Sequence, residues 1–133
     1  MNKCITFGGN GGKRKVFTTS LGEAKLQFVY GHGIDSLQID NDFYGGGGGS
    51  HTEKVILPPN GVFKLRKMQT YYSNKCADTV LSYLEIQVGK EIYKIGKESK
   101  TNGSMSYNGG VDVRLVSLNH SDRINAMEFE YLS

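Results

Sequence analysis

The stretch Tyr30-Gly31-His32-Gly33-Ile34-Asp35-Ser36-Leu37-Gln38-Ile39 decides the fold. Glycines at 31 and 33 relieve a tight turn. Asp35 then opens an alternating segment, with Leu37 and Ile39 on one face and Ser36 and Gln38 on the other. A turn running into period-two alternation reads as a loop entering a half-buried strand. Six residues beyond Ile39 come five glycines in a row, Gly45, Gly46, Gly47, Gly48 and Gly49. A carboxylate beside a bare backbone loop can hold a neutral polyol. The acid accepts hydrogen bonds from hydroxyls while exposed N–H groups donate to other oxygens.

The pattern recurs. Ile34-Asp35-Ser36-Leu37-Gln38-Ile39 aligns with Leu81-Ser82-Tyr83-Leu84-Glu85-Ile86 and with Ile124-Asn125-Ala126-Met127-Glu128-Phe129, at separations of 47 and 43 residues. Glycine-rich loops led by an aromatic residue also recur: Phe7-Gly8-Gly9-Asn10-Gly11-Gly12, Tyr44 with the five glycines, and Tyr107-Asn108-Gly109-Gly110. Three strand entries and three loops imply threefold internal pseudo-symmetry.

No window shows the i, i+3, i+4 apolar spacing of a helix. Alternating sets dominate: Leu26, Phe28 and Tyr30; Leu84, Ile86 and Val88; Val111, Val113 and Leu115; Met127, Phe129 and Tyr131. Four Asn-Gly pairs, starting at Asn10, Asn60, Asn102 and Asn108, favour hairpin turns because both residues tolerate positive φ. The clearest expected hairpin is Asn60-Gly61, between Val55-Ile56-Leu57 and Val62-Phe63-Lys64-Leu65. Many short strands between Gly and Asn turns predict an all-β sandwich, barrel or prism.

The length of 133 residues suits one domain, residues 1–133. No apolar run nears the ~20 residues needed to cross a bilayer, so membrane insertion is not expected. The net charge of +3 is spread among interspersed acids and bases, without the basic stripe of a nucleic-acid binder. The lysines from 90 to 100 read as a solvated edge strand. No apolar leader precedes Phe7, which fits a cytosolic protein, leaderless export or a domain cut from a secreted chain. Cys4 and Cys76 either pair or stay apart, and neither has metal-type spacing to a histidine.

These residues resemble the jacalin-related lectins of the β-prism I fold, with glycine-loop and Gly-x-x-x-Asp spacing similar to griffithsin-type lectins. The likeness runs from Phe7 to Tyr131 and rests on the 8–12 and 45–49 glycine loops, the 30–39 stretch and the closing Ile124 to Tyr131 segment. It implies three four-stranded antiparallel sheets about a pseudo-threefold axis, the first strand joining strands from the C-terminal end. It also implies sugar binding at one end of the prism, with no metal and no cofactor.

Carried onto this chain, the first repeat matches in full: Gly31, His32, Gly33, Ile34 and Asp35, with Gly45, Gly46, Gly47, Gly48 and Gly49 as partner loop. The third repeat has serine and asparagine at the Gly and Asp positions. It gives a weaker second site of Gly11, Gly12, Asp122, Arg123 and Asn125. The second repeat, 78–82, has Ser82 at the acidic position and is expected to be silent, with Asn108-Gly109-Gly110 as its loop. The implied partners are mono- or oligosaccharides and glycoprotein glycans. They are of mannose or glucose type, because the chain is continuous through loops that galactose-selective relatives cleave. One intact, shallow site calls for a homodimer or a tandem context.

Other readings stand beside this one. Asp35 also suits a turn-capping role, and the five glycines suit a flexible linker. A phosphate cradle is disfavoured, since no Gly-Lys-Ser/Thr and no helix follow. Tyr30 and Tyr44 suit either sugar stacking or the core, and His51 and His120 read as exposed loop residues. No histidine has the partners of a catalytic triad, and Glu128 and Glu130 read as solvent-facing strand positions, so no enzyme is expected; a glycosidase using paired carboxylates is a distant third reading. The sequence match at Asn102 and at Asn119 to the N-glycosylation pattern is read as chance. The rival function is a structural, protein-interaction or toxin/adhesin targeting domain whose glycine loops are only turns.

Overall fold

The computed structural model describes residues 3–17, 22–74, 78–99 and 103–132. These contain strands β1 (Cys4–Gly8), β2 (Lys13–Val16), β3 (Lys25–Tyr30), β4 (Ile34–Ile39), β5 (Asp42–Gly45), β6 (His51–Ile56), β7 (Phe63–Ser73), β8 (Asp78–Val88), β9 (Glu91–Gly96), β10 (Ser104–His120) and β11 (Ile124–Tyr131), and no helix. All strand pairings are antiparallel.

One four-stranded sheet has the order β5-β4-β3-β6. The other strands follow the path β1-β11-β10-β7-β8-β9, with β2 also on β10. The long strand β10 divides that path into two faces. Residues 104–113 pair with β7, whereas residues 113–120 pair with β11 and, from Ser117, with β2. Three equivalent four-stranded sheets result: β5-β4-β3-β6, β9-β8-β7-β10 and β1-β11-β10-β2. The all-β prism expected from the sequence is the observed architecture. The first strand lies beside the last, Cys4 opposite Glu130.

The aligned segments occupy the same place in each sheet, at β4, within β8 and within β11. Each has the same burial sequence: four buried residues, one half-buried, one buried. Their apolar side chains meet in one core with Phe28, Leu65, Met68, Val113 and Leu118. Phe63 and Phe129 close it edge to face at 5.9 Å. Fully burying such side chains contributes about 1.5–3 kcal/mol each.

The Asn-Gly turns differ from expectation. Asn60-Gly61 is a turn, with Gly61 N–H bonded to Pro58 O at 2.8 Å, but it makes no hairpin. β6 pairs with β3, while β7 pairs with β8 and β10, so the turn carries the chain from one sheet to another. The preceding Pro58-Pro59 pair explains this: neither proline has the N–H that would continue a ladder. Asn10-Gly11 likewise joins strands of different pairing, β1 on β11 and β2 on β10. Asn108-Gly109-Gly110 lies inside β10, at a register break between Ser106 and Val111, with both glycines at positive φ. Asn102 falls outside the described residues. The two-residue hairpins are instead Asp40-Asn41, with Asp40 at φ 53°, and Gly89-Lys90, with Gly89 at φ 62°. Cys4 lies exposed on β1, and Cys76 is outside the described residues.

Candidate functional site

The three repeats build three clefts at one end of the prism by the same device. A glycine at positive φ ends the first strand of each sheet: Gly8 (125°), Gly45 (110°) and Gly96 (95°). The next N–H then bonds the carbonyl at the Gly-x-x-x-Asp end position. These bonds are Gly9 to Asn125 at 3.1 Å, Gly46 to Asp35 at 3.0 Å and Lys97 to Ser82 at 2.9 Å. The loop paired with Ser82 is therefore 96–99. In the expected partner, Asn108-Gly109-Gly110, Gly110 lies against Lys64 and Arg66 instead.

In the first cleft, Asp35 is 6% exposed and its carboxylate faces the glycine loop. A Cβ added at Gly48 would stand 2.8 Å from Asp35 Oδ1, and one at Gly49 would stand 2.8 Å from Oδ2. Among the described residues, nothing donates a hydrogen bond to this carboxylate; its one ionic neighbour is Arg123 Nε, 3.9 Å from Oδ1. Among the described residues the N–H groups of Gly47, Gly48 and Gly49 have no backbone acceptor either, whereas those of Gly46 and Ser50 are used. Burial raises the Asp35 carboxyl above its ordinary range, and the Arg123 charge partly offsets that. The cleft is about 580 Å³, lined by Asp35, Gly46, Gly47, Gly48, Ser121, Asp122 and Arg123.

Each cleft thus takes a wall from another repeat, which the sequence grouping did not contain. Asp122 and Arg123, assigned by sequence to the second site, line the Asp35 cleft. His32, assigned by sequence to the Asp35 site, borders the cleft of Ser82, Tyr71, Lys97, Glu98 and Ser99. Gly31 lies beside Asp35, with an added Cβ 3.9 Å from Oδ2. Gly33 sits between Leu81, Tyr71 and Arg123, and Ile34 is fully buried in the core.

The third cleft gathers Gly11, Gly12, Asn125 and Asp78. Asn125 is fully buried and its side chain is spent internally. It donates to Thr79 O at 3.1 Å and Asp78 Oδ2 at 3.4 Å, and it accepts from Ser121 Oγ at 3.0 Å. The Asp78 carboxylate occupies the space over Gly11, where an added Cβ would overlap it.

The aromatic and histidine candidates are engaged locally. Tyr30 stacks on exposed His51 with centroids 5.4 Å apart. Tyr44 packs edge-on to Phe17 and His120, at 6.1 and 5.4 Å. Both histidines lie in strands rather than loops, and half-buried His120 has its pKa lowered by burial and by Lys13. Among the described residues no group of three or more His, Cys, Asp or Glu is placed to hold a metal ion.

No family model and no curated protein matches the chain by sequence. Solved structures do match in shape. A mannose-binding jacalin-related lectin from Ananas comosus superposes with a TM-score of 0.71 at 19% identity, over 98% of this chain and 97% of its own. Artocarpin, a lectin with mannose specificity, gives 0.73 at 14%, over 99% and 98%. A mannose-specific jacalin-related lectin from Morus nigra, solved with mannose, gives 0.71 at 17%, over 99% and 95%. Along its whole described length, this chain has the β-prism fold of the jacalin-related lectins.

Proposed function

We propose that this chain is a lectin that binds carbohydrate non-covalently, without metal and without turnover, through the Asp35 carboxylate and the amides of the 45–49 loop. One observation carries the reading. A nearly buried carboxylate has no hydrogen-bond donor among the described residues, and it adjoins three N–H groups with no backbone acceptor. A sugar with vicinal hydroxyls satisfies both sides, since each hydroxyl donates and accepts. Bonds to the charged acid are roughly twice as strong as neutral ones.

The ligand is a terminal mannose or glucose-type residue. The unbroken loops favour this class, as does the mannose binding named for the solved structures of like fold. A single open cleft of millimolar affinity provides only about −4 kcal/mol. Working avidity therefore comes from a homodimer or a tandem chain on glycoprotein glycans.

A glycan array comparing the protein with Asp35→Ala tests this. Mannose- or glucose-terminated glycans are expected to bind the parent and to be lost in the variant. A parent that binds no glycan overturns the lectin reading; a variant that binds like the parent overturns the site. Oligosaccharides incubated with the protein are expected to release no new reducing ends.

A further inference from the structure

We propose that the Ser82 cleft is a second, chemically different site that takes an anionic saccharide residue bearing a carboxylate or a sulfate. Ser82 is 2% exposed, and its Oγ is the one buried side-chain polar atom among the described residues with no hydrogen-bond partner. Leaving a buried hydroxyl unpaired is costly, and a ligand acceptor in the adjoining cleft of about 260 Å³ satisfies it.

The rest of the wall is rich in donors. Tyr71 Oη accepts from Arg123 Nη1 at 2.7 Å, so its own proton is available to another acceptor. Lys97 brings an ammonium with three donors, and His32 brings ring nitrogens from the neighbouring repeat. The single carboxylate in the wall, Glu98, is bonded by Lys67 and so is already compensated. The loop is pre-organised: Gln69 accepts from Ser99 N–H at 2.7 Å and donates to Ser99 O at 2.8 Å. The Asp35 cleft has the opposite balance, lined by two acids, Asp35 and Asp122, and by the single base Arg123. An acidic sugar is repelled there and attracted here, while a neutral sugar finds at Asp35 a carboxylate that no donor among the described residues already holds.

The test is a titration of the ¹⁵N-labelled full chain with methyl β-glucuronide, glucose 6-sulfate and, as neutral control, methyl glucoside. One or both anions are expected to shift the amides of Ser82, Lys97 and Ser99, with affinity falling as salt is added; which anion does so identifies the charged group. Lys97→Gln is expected to weaken that binding about tenfold, the loss of one charge-assisted bond. Ser82→Ala is expected to weaken it while leaving Tm unchanged or higher, because an unpaired buried hydroxyl is removed. These outcomes also hold in Asp35→Ala, so the two sites fail or succeed separately. The proposal is overturned if neither anion shifts these amides, if shifts appear only around Asp35 and Gly47, or if neither variant weakens binding.

Discussion

Arg123 Nε stands 3.9 Å from Asp35 Oδ1, although the two side chains belong to different repeats. Arg123 also donates to Tyr71 at 2.7 Å, so one guanidinium, carried by the loop before β11, touches residues of the other two sheets. Its charge lowers the Asp35 pKa against the larger raising effect of burial.

The stability consequence follows from the raised Asp35 pKa. Folded Asp35 keeps its proton to higher pH than unfolded Asp35. Its contribution to stability is thus fully present below the unfolded pKa and is lost as pH rises through the folded one. Asp35→Asn is expected to remove that decline, giving an equal or higher Tm at pH 7. Arg123→Met is expected to steepen it, lowering Tm more at pH 7 than at pH 4. Thermal melts across this range check both. In the parent, affinity for a neutral sugar is expected to fall on acidification at a higher pH than an ordinary aspartate would give.

Neighbouring glycines in the loop separate ligand approach from folding. An added Cβ at Gly47 meets nothing within 4 Å, so Gly47→Ala is expected to leave Tm within about 2 °C, in keeping with a neutral surface change of under ~0.5 kcal/mol. Its methyl would still stand on the cleft and is expected to weaken mannoside binding severalfold. Unchanged affinity by calorimetry would mean that the sugar does not approach this amide.

Gly45 is a structural position. Its φ is 110°, and an added Cβ would overlap the Asp35 carbonyl and crowd Ser36 Cα at 2.8 Å. Gly45→Ala is expected to cost about 2 kcal/mol or more, from the strained backbone and the clash together. Gly96→Ala is expected to match it, since its Cβ would overlap the Ser82 carbonyl in the same way. Denaturant melts that show a large loss at one and none at the other would break the proposed equivalence of the loops.

Restoring the missing acid in the third repeat is expected to fail. Asn125 donates to Asp78 at 3.4 Å and to Thr79 O at 3.1 Å. Asn125→Asp would set two carboxylates together and leave Thr79 O without its donor. A loss of about 1–3 kcal/mol is expected, relieved on lowering the pH and creating no sugar site at 8–12. Gain of mannoside binding in this variant would show that Asp78 does not block the cleft.

The fold was legible because burial has period two and the three segments at 34–39, 81–86 and 124–129 repeat it residue for residue. The neighbourhood of Asp35 and the 45–49 loop was legible because it lies within one repeat. The loop facing Ser82 was not, because glycine richness was the wrong signal there. What matters is one glycine ending an edge strand, as in Phe7-Gly8, Tyr44-Gly45 and Ile95-Gly96, whatever follows it. The outer walls were hidden for another reason. Asp122, Arg123 and His32 reach clefts of repeats far from them in sequence, and only closure of the prism brings them there. Hairpin chemistry misled at Asn60-Gly61, where the adjacent prolines prevent ladder pairing.

The amino-terminal strands pair with the last strands of the sequence. β1 finds its place only beside β11, and β2 only beside the end of β10. Until that seam closes, two ladders stay unpaired and the 8–12 loop has nothing to rest on. The other sheets are made of strands nearer in sequence and can assemble earlier. Refolding is therefore expected to show a slow final phase, set by the entropy of joining distant segments, in which Trp-free probes on β1 report last. The finished prism is symmetric, but its three faces differ in the chain separation their closure requires, and one of them joins the two ends of the chain.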